Sequence, residues 1–190
     1  MSEKLSLNTT FRLTKDHLKL VYVLDNPAKR DVYLLNRLYL TIPDWKMSPD
    51  VIYVHFIPET RTVWLNKELA DIPSGALITS PVAPYVTAVR AGGRFREEVI
   101  IPLPMTEYRQ YSGEIQAAPE KSPYEIYREV YFSLGYYWRP EGTTEEETEV
   151  HGIPVIIPHP PRATPIEFGT LNSEREQFEL NVKLKGGKAN

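Results

Sequence analysis

Hydrophobic and polar residues alternate along much of this chain, and the alternation is clearest in residues 124–138. The even positions of this segment are mostly apolar and include Ile126, Val130, Phe132, Leu134, Tyr136 and Trp138. Residues two apart point to the same side of a β-strand, so the pattern predicts a strand whose even face lies in a core. The Tyr, Phe and Trp residues of the segment also favour a pleated surface.

A helix is the competing interpretation of the same segment. Ser122 would be its N-cap, Pro123 its first residue and Gly135 its C-terminal cap. The apolar stripe of this helix would consist of Ile126, Tyr127, Val130, Tyr131 and Leu134. We favour the strand because the even-position pattern continues beyond Gly135.

The same alternation predicts most of the remaining structure. Strands are expected in residues 9–25, 32–42, 51–57, 61–69, 81–89, 95–103 and 177–185. Turn-forming residues separate them at 26–31, at 58–60 and at 90–94, where two adjacent glycines predict the tip of a hairpin. Asn36 is a polar exception on the apolar face of its strand, and we expect it to be a hydrogen-bonded core amide.

These elements predict an all-β fold. The economical arrangement is a β-sandwich of two antiparallel sheets, immunoglobulin-like only in a loose sense, since the cysteine pair of antibody domains is absent. The 17 prolines fit a fold with many turns. The length suits a single β-sandwich domain, residues 1–190, in which 105–121 and 141–168 are candidate arms or insertions.

Composition excludes several classes of protein. With no cysteine, the chain has no disulfide, zinc–thiolate site, iron–sulfur cluster or cysteine nucleophile. The N-terminal residues lack the pattern of a signal peptide, and no run reaches the ~18 apolar residues of a membrane-spanning helix. We therefore expect a cytoplasmic protein that does not bind membranes.

Charge is uneven along the chain although the net charge is only −3. Residues 111–150 hold nine acidic side chains against three basic ones. Basic residues do not cluster as they do in nucleic-acid binders, so no nucleic-acid partner is expected. The run of glutamates in residues 141–149 is expected to form a solvated tip, because like charges so close together resist ordering.

The sequence predicts no catalytic residue, no cofactor and no metal site. His151 and His159 lie eight residues apart, which is about 26 Å along an extended strand and too far to share a metal ion. A phosphate-binding glycine loop and a GxSxG nucleophile elbow are both absent. Glu97 and Glu98 would lie on opposite faces of one strand, which does not suit shared acid–base catalysis.

Residues 150–165 combine apolar side chains with five prolines. Proline cannot donate to a central ladder, so this segment is expected to be an edge strand or an extended, proline-rich arm. An apolar arm needs a surface to cover. It either wraps its own sandwich or reaches a second subunit or a protein partner.

Aromatic residues carry the functional hypotheses. If the even face of 124–138 is buried, Tyr127, Tyr131 and Tyr137 point away from the core, unless a second layer such as the segment after residue 150 covers them. The candidate partner contacts are Tyr127, Tyr131, Tyr137, Ile153, Val155, Ile156 and Ile157. The first hypothesis is a non-enzymatic protein-interaction or structural module that buries these side chains against a protein partner or a second copy. The alternative is a carbohydrate- or ligand-binding sandwich that stacks ligands on Trp45, Trp64 or Trp138.

Overall fold

A computed structural model describes residues 4–40, 45–70, 72, 83–111 and 123–184. Predictions for the other residues, which include the start of strand 81–89, most of the connector 105–121 and the tail 186–190, lie outside the described ranges. The described strands are β1 (Ser6–Leu13), β2 (His17–Asp25), β3 (Val32–Arg37), β4 (Tyr39–Leu40), β5 (Lys46–Met47), β6 (Tyr53–Ile57), β7 (Thr62–Lys67), β8 (Tyr85–Val89), β9 (Arg94–Pro102), β10 (Met105–Thr106), β11 (Tyr124–Trp138), β12 (Thr144–Val150), β13 (Ile153–His159), β14 (Phe168–Asn172) and β15 (Glu176–Lys183). No helix occurs in these ranges, so the all-β prediction is confirmed.

The smaller sheet has the order β1-β2-β9 and is antiparallel throughout. The single strand predicted for 9–25 is wrong, because the chain reverses at residues 14–16 and forms the β1–β2 hairpin. Thr14 closes this turn: its N–H and its hydroxyl both donate to the carbonyl of His17, 2.9 Å away in each case. The apolar positions change from odd in β1 to even in β2, and this change of parity marks the turn.

The larger sheet is built around β11, which has neighbours along both edges. One edge pairs with β15 and then with β14, and the other with β7 and then with β3. The β7–β11 and β10–β15 pairs are parallel, so the sheet is mixed and not purely antiparallel as predicted. Parallel neighbours need a long crossover connection, and the chain between β7 and β11 provides one.

Strand β11 confirms the strand interpretation of 124–138 and excludes the helix. The prediction that its whole even face is buried is wrong in the first half, where Ile126 is 42% exposed and Tyr127 only 1% exposed. The cause is a shift of register against β15 between Tyr127 and Glu129. At this β-bulge β15 advances three residues while β11 advances two, and the parity of β11 changes, so that Tyr127 lies on the same side as Val130 and Phe132.

Both sheets contribute to one hydrophobic core. Its fully buried members include Leu18, Leu20, Tyr22 and Leu24 of β2 and Val130, Phe132 and Leu134 of β11. A second, smaller cluster lies on the other side of the larger sheet and contains Tyr33, Leu35, Val86 and Tyr137, with Ile156 of β13 packed against it. Strand β3 serves both clusters, which explains why all six of its residues are buried.

The chain turns at residues 90–93 as predicted, but the hairpin prediction is wrong. Strand β8 pairs with β3 and β13, whereas β9 pairs with β2 in the other sheet. Gly92 has a φ of +70° and Gly93 N–H donates to the Arg90 carbonyl, as in a turn with one left-handed residue. Its positive φ falls on the third residue, as in a type II turn, which splays the flanking strands, whereas the turns of tight hairpins have positive φ at the second residue. The turn is therefore a corner between the sheets.

Residues 144–159 form a hairpin, which corrects one prediction and leaves a second unconfirmed. The acidic run is not a loose tip, because Glu145 and its neighbours belong to β12 and pair with β13. Hydrogen bonds from Arg90 are the main reason that the pKa of Glu145 is lowered, so this glutamate stays ionised within the strand. The proline-rich segment is not confirmed as an extended arm: β13 lies between β12 and β8.

The prolines of β13 fit this position because of the hairpin register. His151 and Gly152 form a two-residue turn with positive φ at both positions, so the pairs that exchange hydrogen bonds with β12 are at odd positions of β13. Pro154 and Pro158 fall at even positions, whose backbone nitrogens face β8. The pairing with β8 is accordingly limited to Ile156.

A buried ion cluster links the two sheets. Glu97 of β9 accepts hydrogen bonds from Lys67 Nζ (2.8 Å), from the Tyr22 hydroxyl (2.5 Å) and from Arg37. Lys67 is fully buried and also donates to the Pro49 carbonyl at 2.6 Å. The predicted core amide, Asn36, donates to the Tyr22 oxygen, but its Oδ1 has no partner within the described chain.

The charges of the cluster depend on one another. Burial by itself would raise the pKa of Glu97, but the positive charges of Lys67 and Arg37 outweigh it and hold this pKa below its ordinary value. Burial lowers the pKa of Lys67, and the charge of Glu97 opposes that shift. Removal of one member therefore leaves the others as uncompensated buried charges.

Glu97→Gln is expected to lower the free energy of unfolding by about 3–5 kcal/mol at neutral pH, since Lys67 and Arg37 lose their counter-charge. A carboxylate with a depressed pKa stabilises the fold above its unfolded pKa and loses this effect as pH falls. The difference between wild type and variant should therefore shrink below about pH 4.3. Urea unfolding at several pH values measures this difference in the free energy of unfolding. A difference that does not change with pH would contradict an ionised Glu97 in the cluster.

Gly135→Ala is expected to destabilise the fold by about 1–3 kcal/mol through overpacking. A Cβ at this position would lie 2.6 Å from Cβ and 2.9 Å from Cα of Glu68, so the strands would have to move apart. Thermal and urea unfolding measure the loss. An unchanged free energy of unfolding would show that the backbone does not need glycine here.

Candidate functional site

The outer face of the larger sheet carries a row of rings. His55, Trp64 and Tyr131 are direct register partners on β6, β7 and β11, and we call them the aromatic row. The ring centroids of His55 and Trp64 are 4.7 Å apart, and those of Trp64 and Tyr131 are 6.1 Å apart with nearly parallel planes. The Arg175 guanidinium lies 5.4 Å from the centre of the Tyr131 ring. The row is therefore a continuous stack across three strands.

Strand alternation places the aromatic row outside the core. The neighbours of Trp64 in sequence, Val63 and Leu65, are fully buried in the main core, so Trp64 points to the opposite side. Its Nε1–H donates to Ser133 Oγ at 2.8 Å, and Ser133 donates to Asn172 Oδ1 at 2.6 Å. These bonds fix the indole ring from below.

A cleft of about 460 Å³ opens beside the aromatic row. It is lined by Tyr53, His55, Trp64, Asn66, Glu68, Leu69, Ala70, Arg109, Gln110 and Tyr111. Asn66 is 2% exposed, and its Oδ1 has no hydrogen-bond partner among the described residues. The cleft thus combines apolar ring surface with a buried acceptor that has no partner within the described ranges.

The Tyr53 phenol at the cleft is neutral over the physiological pH range because its pKa is raised. Burial raises the pKa of Tyr53, and the neighbouring Tyr108 and Tyr111 add to this effect. Burial also raises the pKa of Tyr108, whose ring centre is 5.7 Å from that of Tyr53, to about 12. Tyr53 therefore brings a neutral hydroxyl to the cleft, whereas the Tyr108 hydroxyl donates to Gln110 Oε1 at 3.2 Å.

A wider and more open groove of about 1000 Å³ lies next to Trp138. The Arg30 guanidinium covers the Trp138 ring at 4.0 Å from its centre, so one face of this ring is already occupied. Trp45 is 46% exposed and contacts Tyr39 and His151. Of the three tryptophans considered for ligand stacking, Trp64 alone borders the cleft that contains Asn66.

Strand β1 is an open edge of the smaller sheet. It pairs with β2, and its other side has no backbone partner in the described part of the chain. The bond from Thr14 N–H to the His17 carbonyl sets the alternation of the ladder, in which even positions of β1 face β2. The backbone groups of Leu7, Thr9, Phe11 and Leu13 therefore point outward.

The structure separates the residues predicted to contact a partner. Tyr127 lies in the main core, Tyr137 in the second cluster, and Val155 is 2% exposed. Tyr131 belongs to the aromatic row, whereas Ile153, Ile156 and Ile157 are half-buried on β13. Tyr137 is covered because its ring packs against Tyr33 and Phe168. Ile156 packs against the same cluster.

Sequence reasoning missed His55, Asn66 and Arg109. A weak signal existed for two of them: polar or aromatic side chains alternate with apolar ones in 51–57 and 61–69, which places His55 and Asn66 on outward faces. His55 and Asn66 lie at the same cleft only because of the register between β6 and β7, which the hydrophobic periodicity does not specify.

The histidines considered for a metal lie apart from one another. His151 Nδ1 accepts a hydrogen bond from Met47 N–H at 3.0 Å, and His159 Nε2 lies 3.6 Å from a Glu146 oxygen. The described ranges contain no group of three side chains suited to hold a metal ion. Within the same ranges no helix is long and apolar enough to cross a membrane.

Comparison of the chain with models of protein families, with curated proteins and with solved structures found no match.

Proposed function

We propose that the chain is a non-enzymatic protein-interaction module, a two-layer β-sandwich that is immunoglobulin-like in the loose sense and binds an extended segment of a protein partner along β1. The observation that carries the proposal is the outer side of β1, an eight-residue strand, which has no backbone partner among the described residues. A partner segment would add as one more strand, and main-chain hydrogen bonds would supply much of its affinity.

The composition of β1 suits strand addition. Among its eight residues Arg12 is the one charged side chain, and there is no proline. An edge strand with few charges and no proline is the kind that accepts a further strand. Outward backbone groups at four alternate residues would allow a ladder along the full length of β1.

Two other edge strands are protected against such pairing. Strand β12 has four glutamates among seven residues, which repel an acidic segment and disfavour a second copy of the same edge. On β9 the outward Ile100 N–H already donates to Asp50 Oδ1 at 2.7 Å, and Pro102 ends the strand. The contrast between these edges and β1 favours β1 as the binding edge.

Only some of the partner contacts predicted from the sequence remain part of this proposal. Tyr131 and the half-buried Ile153, Ile156 and Ile157 remain candidate contacts, whereas Tyr127, Tyr137 and Val155 would have to leave a core to touch a partner. The glutamates of β12 would steer a basic partner towards the module. A cytoplasmic setting stays an expectation from the sequence.

Thr9→Pro and Thr10→Pro form a matched pair that tests the orientation of the edge. Thr9 N–H points outward, so its loss should change the melting temperature little. Thr10 N–H faces Val21 of β2, so its loss should cost about 1–3 kcal/mol, because a ladder acceptor is left without its donor. Thermal unfolding separates the two, and equal melting temperatures would contradict the assigned orientation.

Binding is measured with extended peptides selected from a displayed random library on the whole chain. Thr9→Pro should weaken the selected peptides about tenfold or more, because it removes a ladder donor and places a ring at the edge. Glu147→Pro, at an outward position of β12, is the control and should leave binding unchanged. A library that gives no binder, or peptides that bind Thr9→Pro as tightly as wild type, would refute strand addition. If sedimentation shows a dimer and Thr9→Pro dissociates it, strand addition is supported and the partner is a second copy of the chain.

A further inference from the structure

We infer that the cleft beside the aromatic row is a binding site for a neutral saccharide, separate from the β1 edge. The inference begins with Asn66 Oδ1, which is buried, borders the cleft and has no hydrogen-bond partner among the described residues. An unpaired buried acceptor costs about 1–3 kcal/mol. A ligand hydroxyl that donates to this atom would recover that cost, so the cleft favours ligands that carry donors.

The remaining polar groups require a ligand that both donates and accepts. Glu68 provides carboxylate oxygens, Arg109 provides guanidinium donors, and Gln110 provides both an acceptor and donors. Glu68 already accepts from the Thr170 hydroxyl at 3.2 Å, and Arg109 pairs with Glu107 at 2.5 Å. These partners orient the two side chains at the cleft. Hydroxyl groups of a sugar can donate to Asn66 and Glu68 and accept from Arg109.

The charge of the lining selects against ionic ligands. The described lining contains one carboxylate, Glu68, and one guanidinium, Arg109, so it presents charges of both signs. An anionic ligand would meet Glu68, and a cationic ligand would meet Arg109. A neutral polyol avoids both conflicts, since it brings no charge that must be desolvated.

Apolar surface and size agree with this class of ligand. Tyr53, Trp64 and Leu69 supply ring and aliphatic surface for the C–H face of a sugar ring, and both phenol and indole are large and rigid. The volume of about 460 Å³ lies within the range of about 300–1,000 Å³ that is typical of small-molecule sites. Glycoside hydrolysis usually needs two carboxyl groups, whereas the described lining has one, so the cleft is assigned to binding.

The test uses Asn66→Leu, which replaces the amide with an apolar group of similar shape. Because the substitution removes an unpaired acceptor, the fold should be as stable as wild type or more stable. Binding of neutral saccharides should weaken about tenfold or more, since the hydroxyl loses its acceptor. An array of neutral mono- and oligosaccharides identifies the probe, and calorimetric titration up to millimolar concentration measures its affinity.

Two further variants keep the outcome interpretable. Trp64→Leu should also weaken binding, whereas Trp45→Ala changes an exposed tryptophan away from the cleft lining and should not. Thr9→Pro should leave saccharide binding unchanged, which separates this site from the β1 edge. The inference is overturned if no neutral saccharide binds at millimolar concentration, if only charged ligands bind, or if Asn66→Leu binds as wild type does.

Discussion

The contact on which the rest of the structure depends is the meeting of Glu97 with Lys67 and Arg37 between the two sheets. Glu97 comes from β9 of the smaller sheet, whereas its two cations come from β7 and β3 of the larger one. Hydrophobic contacts tolerate small shifts, but buried charges do not, because each is stable only when its counter-ion is in place. The cluster therefore fixes how the sheets lie on each other, while the apolar core provides most of the free energy of association.

The sequence allowed the class of fold to be predicted but not its connections. Alternation is local, so strands such as β11 and β15 could be recognised from their own residues. The corner at 90–93 could not be separated from a hairpin, since both use glycine and differ in where β8 and β9 find partners. Those partners, β3 and β2, are distant in sequence, and periodicity carries no information about them.

Single residues explain the remaining errors. The bulge near Arg128 reverses the parity of β11, and no residue type there announces it, so Tyr127 was placed on the wrong side. Lys67 reads as a surface residue in any hydropathy pattern, yet it is fully buried because Glu97 lies opposite. Of the candidate site, the sequence allowed Trp64 to be predicted. Asn66 could not be predicted, because it borders a cleft only when other segments of the chain complete that cleft.

Strand β7 connects the scaffold to both surfaces of the larger sheet. Its inward residues Val63 and Leu65 pack in the core, and Lys67 holds the ion cluster. Its outward residues Trp64 and Asn66 form the floor of the cleft. A side chain on a strand with partners on both edges is held more rigidly than one on a loop. This holds the Asn66 acceptor in place although it has no hydrogen-bond partner in the part of the chain that the structure describes. The stability of the core beneath β7 thus maintains the position of this acceptor, which is what the proposed saccharide site requires.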